Sequence, residues 1–103
     1  MNKFYTSLLV LFVASATSIV NAQEVGDAKA GETKIAMCIG CHGIKGYQAS
    51  FPEVYKVPKI SGQTAAHIVS SLTAYQKGDR KHPTMRSISA SLTPKDMADI
   101  AAY

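Results

Sequence analysis

Cysteine is scarce in this chain: two residues in 103, alongside three histidines and no tryptophan. A zinc centre needs four ligands, and there is no second paired cluster to complete one around two thiols. No period-two run of useful length occurs, which removes a sheet-built fold. Nor does a buried strand or a βαβ pattern precede the cysteines, as a thiol oxidoreductase would require. Charge is modest: 11 basic against 7 acidic residues, a formal net charge of +4. Lys3 is the only charged residue among the first 22, so the remainder carries ten basic and seven acidic residues, a balance of +3. That is too mild to argue for a nucleic-acid partner. There is no internal repeat and no low-complexity stretch.

What the chain does have is Met37-Cys38-Ile39-Gly40-Cys41-His42-Gly43. Cys-x-x-Cys-His is the attachment signature of a c-type haem, and it occurs once. Residues three apart share one face of a helical turn, so Cys38 and Cys41 can each form a thioether with one vinyl of the same porphyrin. His42 follows directly and can offer its imidazole to the iron as proximal ligand. Gly40, between the thiols, leaves no side chain to block a flat macrocycle. A disulfide or dithiol site is the competing reading of the same two cysteines.

The start of the chain reads as an address. Met1-Asn2-Lys3 is a short basic region, Phe4 to Val13 is mostly apolar, and Val20-Asn21-Ala22 places small or modest residues where a signal peptidase reads. Residues 1–22 are therefore expected to be a signal peptide and 23–103 the domain, exported to the bacterial periplasm. A retained N-terminal anchor is the alternative, but Ser15, Thr17 and Ser18 interrupt the run and no basic flank follows. After cleavage 81 residues remain. A domain of that size buries a limited core. Covalent haem would supply much of what is missing, so the haem-free polypeptide is expected to fold poorly.

Along the mature chain, Asp27 is placed to cap a helix that begins near Ala28 and runs into the haem motif. Gly31, Ile35 and Cys38 line one side of it. A glycine inside a helix costs about 1 kcal/mol relative to Ala, which a close crossing of another helix would explain. Gly43 to Ser61 reads as loop, broken by Gly43, Gly46, Pro52 and Pro58, yet its Tyr47, Phe51, Val54, Tyr55 and Val57 suit a cover over a cofactor face. Pro58 lacks an N–H but keeps a carbonyl that could accept the free ring N–H of His42; it reads equally well as a turn former. Thr64 caps a second helix, Ala65 to about Lys77, with Gly78 just past its end and Ile68, Leu72 and Tyr75 on its apolar face. Arg86 to Leu92 shows no clear period. Thr93-Pro94-Lys95-Asp96 then opens a last helix, with Met97, Ile100 and Ala101 as its apolar face. The class is all-α.

One histidine leaves the sixth iron position open, and its occupant sets the function. A thioether there raises the potential, a second imidazole lowers it, and a vacancy admits gas or peroxide. Met37 is too close to the attachment turn to reach the opposite face, and Met97 is explained as core. Met85, in an irregular segment able to wrap the ring edge, is the expected distal ligand, with His82 or His67 as alternatives.

The ordered set resembles the small bacterial class I cytochromes c, including single halves of the two-haem periplasmic forms. It comprises Gly26-Asp27-Ala28-Lys29-Ala30-Gly31, Cys38-Ile39-Gly40-Cys41-His42-Gly43, Pro58-Lys59-Ile60-Ser61-Gly62-Gln63, Met85, and Leu92-Thr93-Pro94-Lys95-Asp96 leading to Ile100-Ala101-Ala102-Tyr103. The resemblance implies three to four helices around one covalently attached haem c. It implies His42 and Met85 as axial ligands, Pro58 as the carbonyl partner of His42, and first and last helices crossing at Gly31. It also implies a non-enzymatic, soluble and monomeric carrier of one electron between respiratory partners: a membrane cytochrome complex, a terminal oxidase or a reductase. A haem-bearing subunit, or one half of a larger oxidoreductase or two-haem cytochrome, is the alternative. Lys45, Lys56, Lys59, Arg80, Lys81 and Arg86 are the candidate docking contacts. Family members commonly continue past the aromatic residue of the last helix, whereas this sequence stops at Tyr103.

Overall fold

A computed structural model describes residues 24–103. The expected leader, 1–22, lies outside the described residues. Five helical segments follow one another: α1 Ala28–Lys34, α2 Ala36–His42, α3 Ala65–Lys77, α4 Pro83–Ala90 and α5 Pro94–Ala102. A two-residue antiparallel ladder, β1 Gln48–Ala49 against β2 Tyr55–Lys56, sits in the long connection before α3. The class is all-α as expected.

Local chemistry sets most helix ends. The Asp27 carboxylate accepts the Lys29 and Ala30 N–H groups and starts α1. The single helix expected from Ala28 through His42 is interrupted at Ile35, whose φ of −87° and ψ of 2° leave the helical region. Just before the break, the Thr33 hydroxyl donates to the Ala30 carbonyl at 2.8 Å, a local bond that competes with the helical ladder and bends it. Thr64 caps α3, and Gly78 closes it in the left-handed region at φ 83°. α5 opens with a reciprocal capping box: Thr93 N–H donates to Asp96 at 2.9 Å and Asp96 N–H to the Thr93 hydroxyl at 3.1 Å.

α4 replaces what read as an irregular stretch. His82 caps it, Nδ1 accepting the Met85 N–H at 3.3 Å, and Pro83 occupies the first helical position. Its far end is held by Gln76 of α3, whose amide donates to the carbonyls of Ser89 at 3.0 Å and Leu92 at 2.8 Å.

α1 crosses α5 at glycine. A Cβ on Gly31 would lie 2.0 Å from the Asp99 carbonyl oxygen, and one on Gly26 would lie 2.0 Å from that of Ala98. The first accounts for the helical glycine; the second gives Gly26 the same role. Around this crossing Leu72, Met97, Ala98 and Ile100 are the buried apolar residues among those described, a small core for a domain of this size.

Asp99 is buried in that core, 1% exposed, where the periodicity placed only apolar residues. Its carboxylate accepts the Asp27 N–H at 2.8 Å and the Lys34 ammonium at 2.7 Å, and also pairs with Lys95. Lys34 reaches Asp96 as well, at 2.8 Å. Both ends of α1 are thus tied to α5. The Lys34 ammonium, then Lys95 and the Asp27 N–H, hold the Asp99 carboxyl well below the usual carboxylate range. Lys34 and the Thr93 cap hold Asp96 down to about 2. Asp96 and then Asp99 push Lys34 up in return.

Candidate cofactor site

α2 carries Cys38, Cys41 and His42 on successive turns, and Gly43 ends it by donating its N–H to the Ile39 carbonyl at 3.0 Å. The chain then runs through the short ladder and returns at Pro58. There the ring Nδ1 of His42 lies 2.7 Å from the Pro58 carbonyl oxygen. A carbonyl can only accept, so Nδ1 carries the proton and Nε2 keeps the lone pair a metal needs. Of the two sequence readings of Pro58, the carbonyl contact is the one the structure contains.

One cleft of about 320 Å³ has Cys38, Cys41, His42, Pro58 and Met85 on its wall. α2 and the Pro58 strand of chain form one side, α4 brings Met85, and Ile68, Leu72 and Ile100 form much of the apolar floor. Of the five residues expected to cover a cofactor face, Tyr47, Phe51, Tyr55 and Val57 line it, whereas Val54 does not and is exposed. Apart from its chain neighbours and the backbone of its own helix, nothing among the described residues lies within 4 Å of where a Cβ on Gly40 would stand. Burial pushes the Cys38 thiol up, whereas the nucleophilic cysteines of thiol oxidoreductases are shifted down.

The alternative ligands His67 and His82 line the same cleft. His67 is exposed on α3. His82 has already committed Nδ1 as acceptor to the Met85 N–H, and its ring meets Tyr55 edge-on with centroids 4.7 Å apart. The neutral ring that accepts at Nδ1 is protonated at Nε2 and offers no lone pair there. Met85 has no such commitment, and it projects from the helix that His82 caps. No group of three or more His, Cys, Asp or Glu side chains able to hold a separate metal ion occurs among the described residues.

The profile of the family described as Cytochrome c matches residues 28–103, from the first residue of α1 to Tyr103. The chain belongs to the cytochrome c family. It is similar to cytochrome c-554(548) of Halomonas halodenitrificans, 44% identical over 81 residues that cover 76% of this chain and 93% of that protein. It is also similar to cytochrome c4 of Pseudomonas aeruginosa, 34% identical over 103 residues, which is 100% of this chain and 47% of the other. Cytochrome c4 of Azotobacter vinelandii matches at 34% over 108 residues, 92% of this chain and 50% of that one. The chain thus spans about half the length of the cytochromes c4 and nearly all of cytochrome c-554(548).

Membership assigns the cleft its cofactor. Cytochromes c carry covalently attached haem, and Cys38 and Cys41 are the two cysteines of this chain's attachment motif. The residues present fit the group: two thiols and an imidazole on one helix, the imidazole with its free nitrogen fixed by Pro58, at the wall of a largely apolar cleft. When bound, haem supplies a one-electron ferric–ferrous couple, and its role in this family is electron transfer.

Proposed function

We propose that the chain is a periplasmic carrier of single electrons, with His42 and Met85 as the two protein ligands of one haem c. The observation that carries this is the His42–Pro58 contact at 2.7 Å, which leaves Nε2 as the free ring nitrogen of a residue on the wall of the cleft that Met85 also lines. The Pro58 carbonyl fixes the imidazole's orientation and raises its basicity. A thioether from Met85 favours the ferrous state, so the potential is high. Two ligands kept in both oxidation states leave no position for a substrate, and the chain is a carrier rather than an enzyme. Residues 1–22 act as the export signal and 23–103 as the working domain. Among the described residues no helix is long and apolar enough to cross a membrane.

Its partners are other redox proteins of a respiratory chain, donor on one side and a terminal oxidase or reductase on the other, met as a monomer. Such encounters are small and brief. Lys45, Lys56, Lys59, Arg80, Lys81 and Arg86 are all exposed and suit charge steering. The match to half of each cytochrome c4 supports a second reading, in which this domain works beside another haem domain in a longer chain.

The visible spectrum of the periplasmic protein tests the proposal. Colour that survives acid–acetone extraction, with the low-spin spectrum of a His/Met haem, is the expected result. Extractable colour, or a high-spin ferrous form that takes up carbon monoxide, would overturn it.

A further inference from the structure

Met85 serves as a ligand only while α4 stays in place, and α4 has few attachments. A helix of eight residues is too short to be stable alone. Among the described helices, α3 is the one it packs on substantially. Its first turn is capped by His82, and Met85 is the third residue of the helix. Its other end hangs on a single side chain, Gln76.

Gln76 is half-buried in the last turn of α3. Its Nε2 faces three carbonyl oxygens, of Leu92 at 2.8 Å, Ser89 at 3.0 Å and, at the margin, Ala90 at 3.5 Å. Carbonyls only accept, so it is the amide nitrogen that faces them, and its two N–H groups match the two short contacts. A helix leaves its last carbonyls without internal partners, and Gln76 supplies donors from a neighbouring helix. Ser89 is 0% exposed, so water does not compete for its carbonyl. The one amide therefore joins the end of α3, the end of α4 and the turn into α5. Ser89 stands about one helical turn beyond Met85.

We propose that Gln76 is the positioning residue for Met85: by clamping the end of α4 it keeps the thioether in the cleft and sets how rarely Met85 is withdrawn. This rests on Met85 as the sixth ligand. A small competitor for the same position binds only when α4 lets Met85 go, so its apparent affinity reports the fraction of protein in which that has happened.

The test is a titration of the oxidised holoprotein with imidazole, followed in the visible spectrum, for Gln76→Leu, Gln76→Ala, Gln76→Lys and Asp27→Ala. The Leu and Ala variants should keep covalent haem and the His/Met spectrum when imidazole is absent, yet bind imidazole roughly tenfold more tightly, the effect of losing two sheltered hydrogen bonds. Gln76→Lys, whose ammonium donates to the last carbonyls of a helix, should return the affinity to near that of the unmutated protein. Asp27→Ala removes the cap of α1, which packs on α5. It should lower the melting temperature and leave the imidazole affinity alone. Leu and Ala variants that melt lower but bind imidazole with unchanged affinity would make Gln76 a residue of the fold only and overturn the proposal. Imidazole binding that Met85→Ala does not tighten would instead overturn the ligand assignment beneath it.

Discussion

The carbonyl oxygen of Asp99 stands 2.0 Å from the position a Cβ on Gly31 would occupy. The obstacle is backbone, and it belongs to a residue whose side chain simultaneously anchors the start of α1. α1 and α5 can therefore approach only because position 31 has no side chain.

Gly31→Val should destabilise the fold by about 3 kcal/mol, the upper end of the overpacking range, because relief requires one helix to move bodily. Denaturant melts of the holoprotein measure it. A melt within experimental error of the unmutated protein would mean that the helices are farther apart than described.

Acid should loosen the same crossing. Asp96 and Asp99 both titrate below their unfolded values of about 4. A carboxylate with a depressed folded-state value stabilises the fold above its unfolded value and loses that contribution as pH falls through the folded one. Their shared contribution is thus expected in full above about pH 5 and is lost on the way down to about 2 for Asp96 and lower for Asp99. Thermal melts of Asp99→Asn should sit below those of the unmutated protein at neutral pH, with the gap narrowing towards the acid end. A constant gap across that range would show that the ion pairs contribute nothing.

Met85→Ala should lose the low-spin His/Met spectrum and fall in reduction potential, since a thioether favours the ferrous state. His82→Ala should keep that spectrum and lose only the cap of α4, about 1 kcal/mol. Exchange of these two outcomes would transfer the sixth ligand from Met85 to His82.

A Cys38→Ser/Cys41→Ser variant cannot attach haem, and its far-ultraviolet circular dichroism should show less helix and a broad melt. The reason is the core: Leu72, Met97, Ala98 and Ile100 are the apolar residues buried among those described, too few to hold five helical segments. Native-like helix content with a sharp melt would refute this.

What could be read without coordinates follows the range over which each residue acts. Thr64, Gly78 and Thr93-Pro94-Asp96 are local signals, and the helix ends they mark are where they were expected. The attachment motif is local too, which is why the cofactor was legible. α4 was missed because its cap is a histidine, outside the usual capping set, and because its serines blur the apolar period; Pro83 at the first position was the signal to use. Asp99 was missed for a different reason. With Lys95 four residues before it, it looks like an exposed i,i+4 pair, and only Asp27 and Lys34, more than sixty residues away, reveal that it is buried. The Pro58 carbonyl is a similar case: the residue was visible, but which of its two roles applied depended on where the loop returned.

The interruption at Ile35 divides labour along what would otherwise be one rod. Upstream of it, Gly26, Asp27, Gly31 and Lys34 engage the last helix; downstream, Cys38, Cys41 and His42 face the cleft. Mechanical strain on one side of such a joint is not passed rigidly to the other. A change that frees only the upstream arm, such as Asp99→Asn, should leave the imidazole on its carbonyl, so colour and compactness are expected to fade at separate points of a denaturant titration.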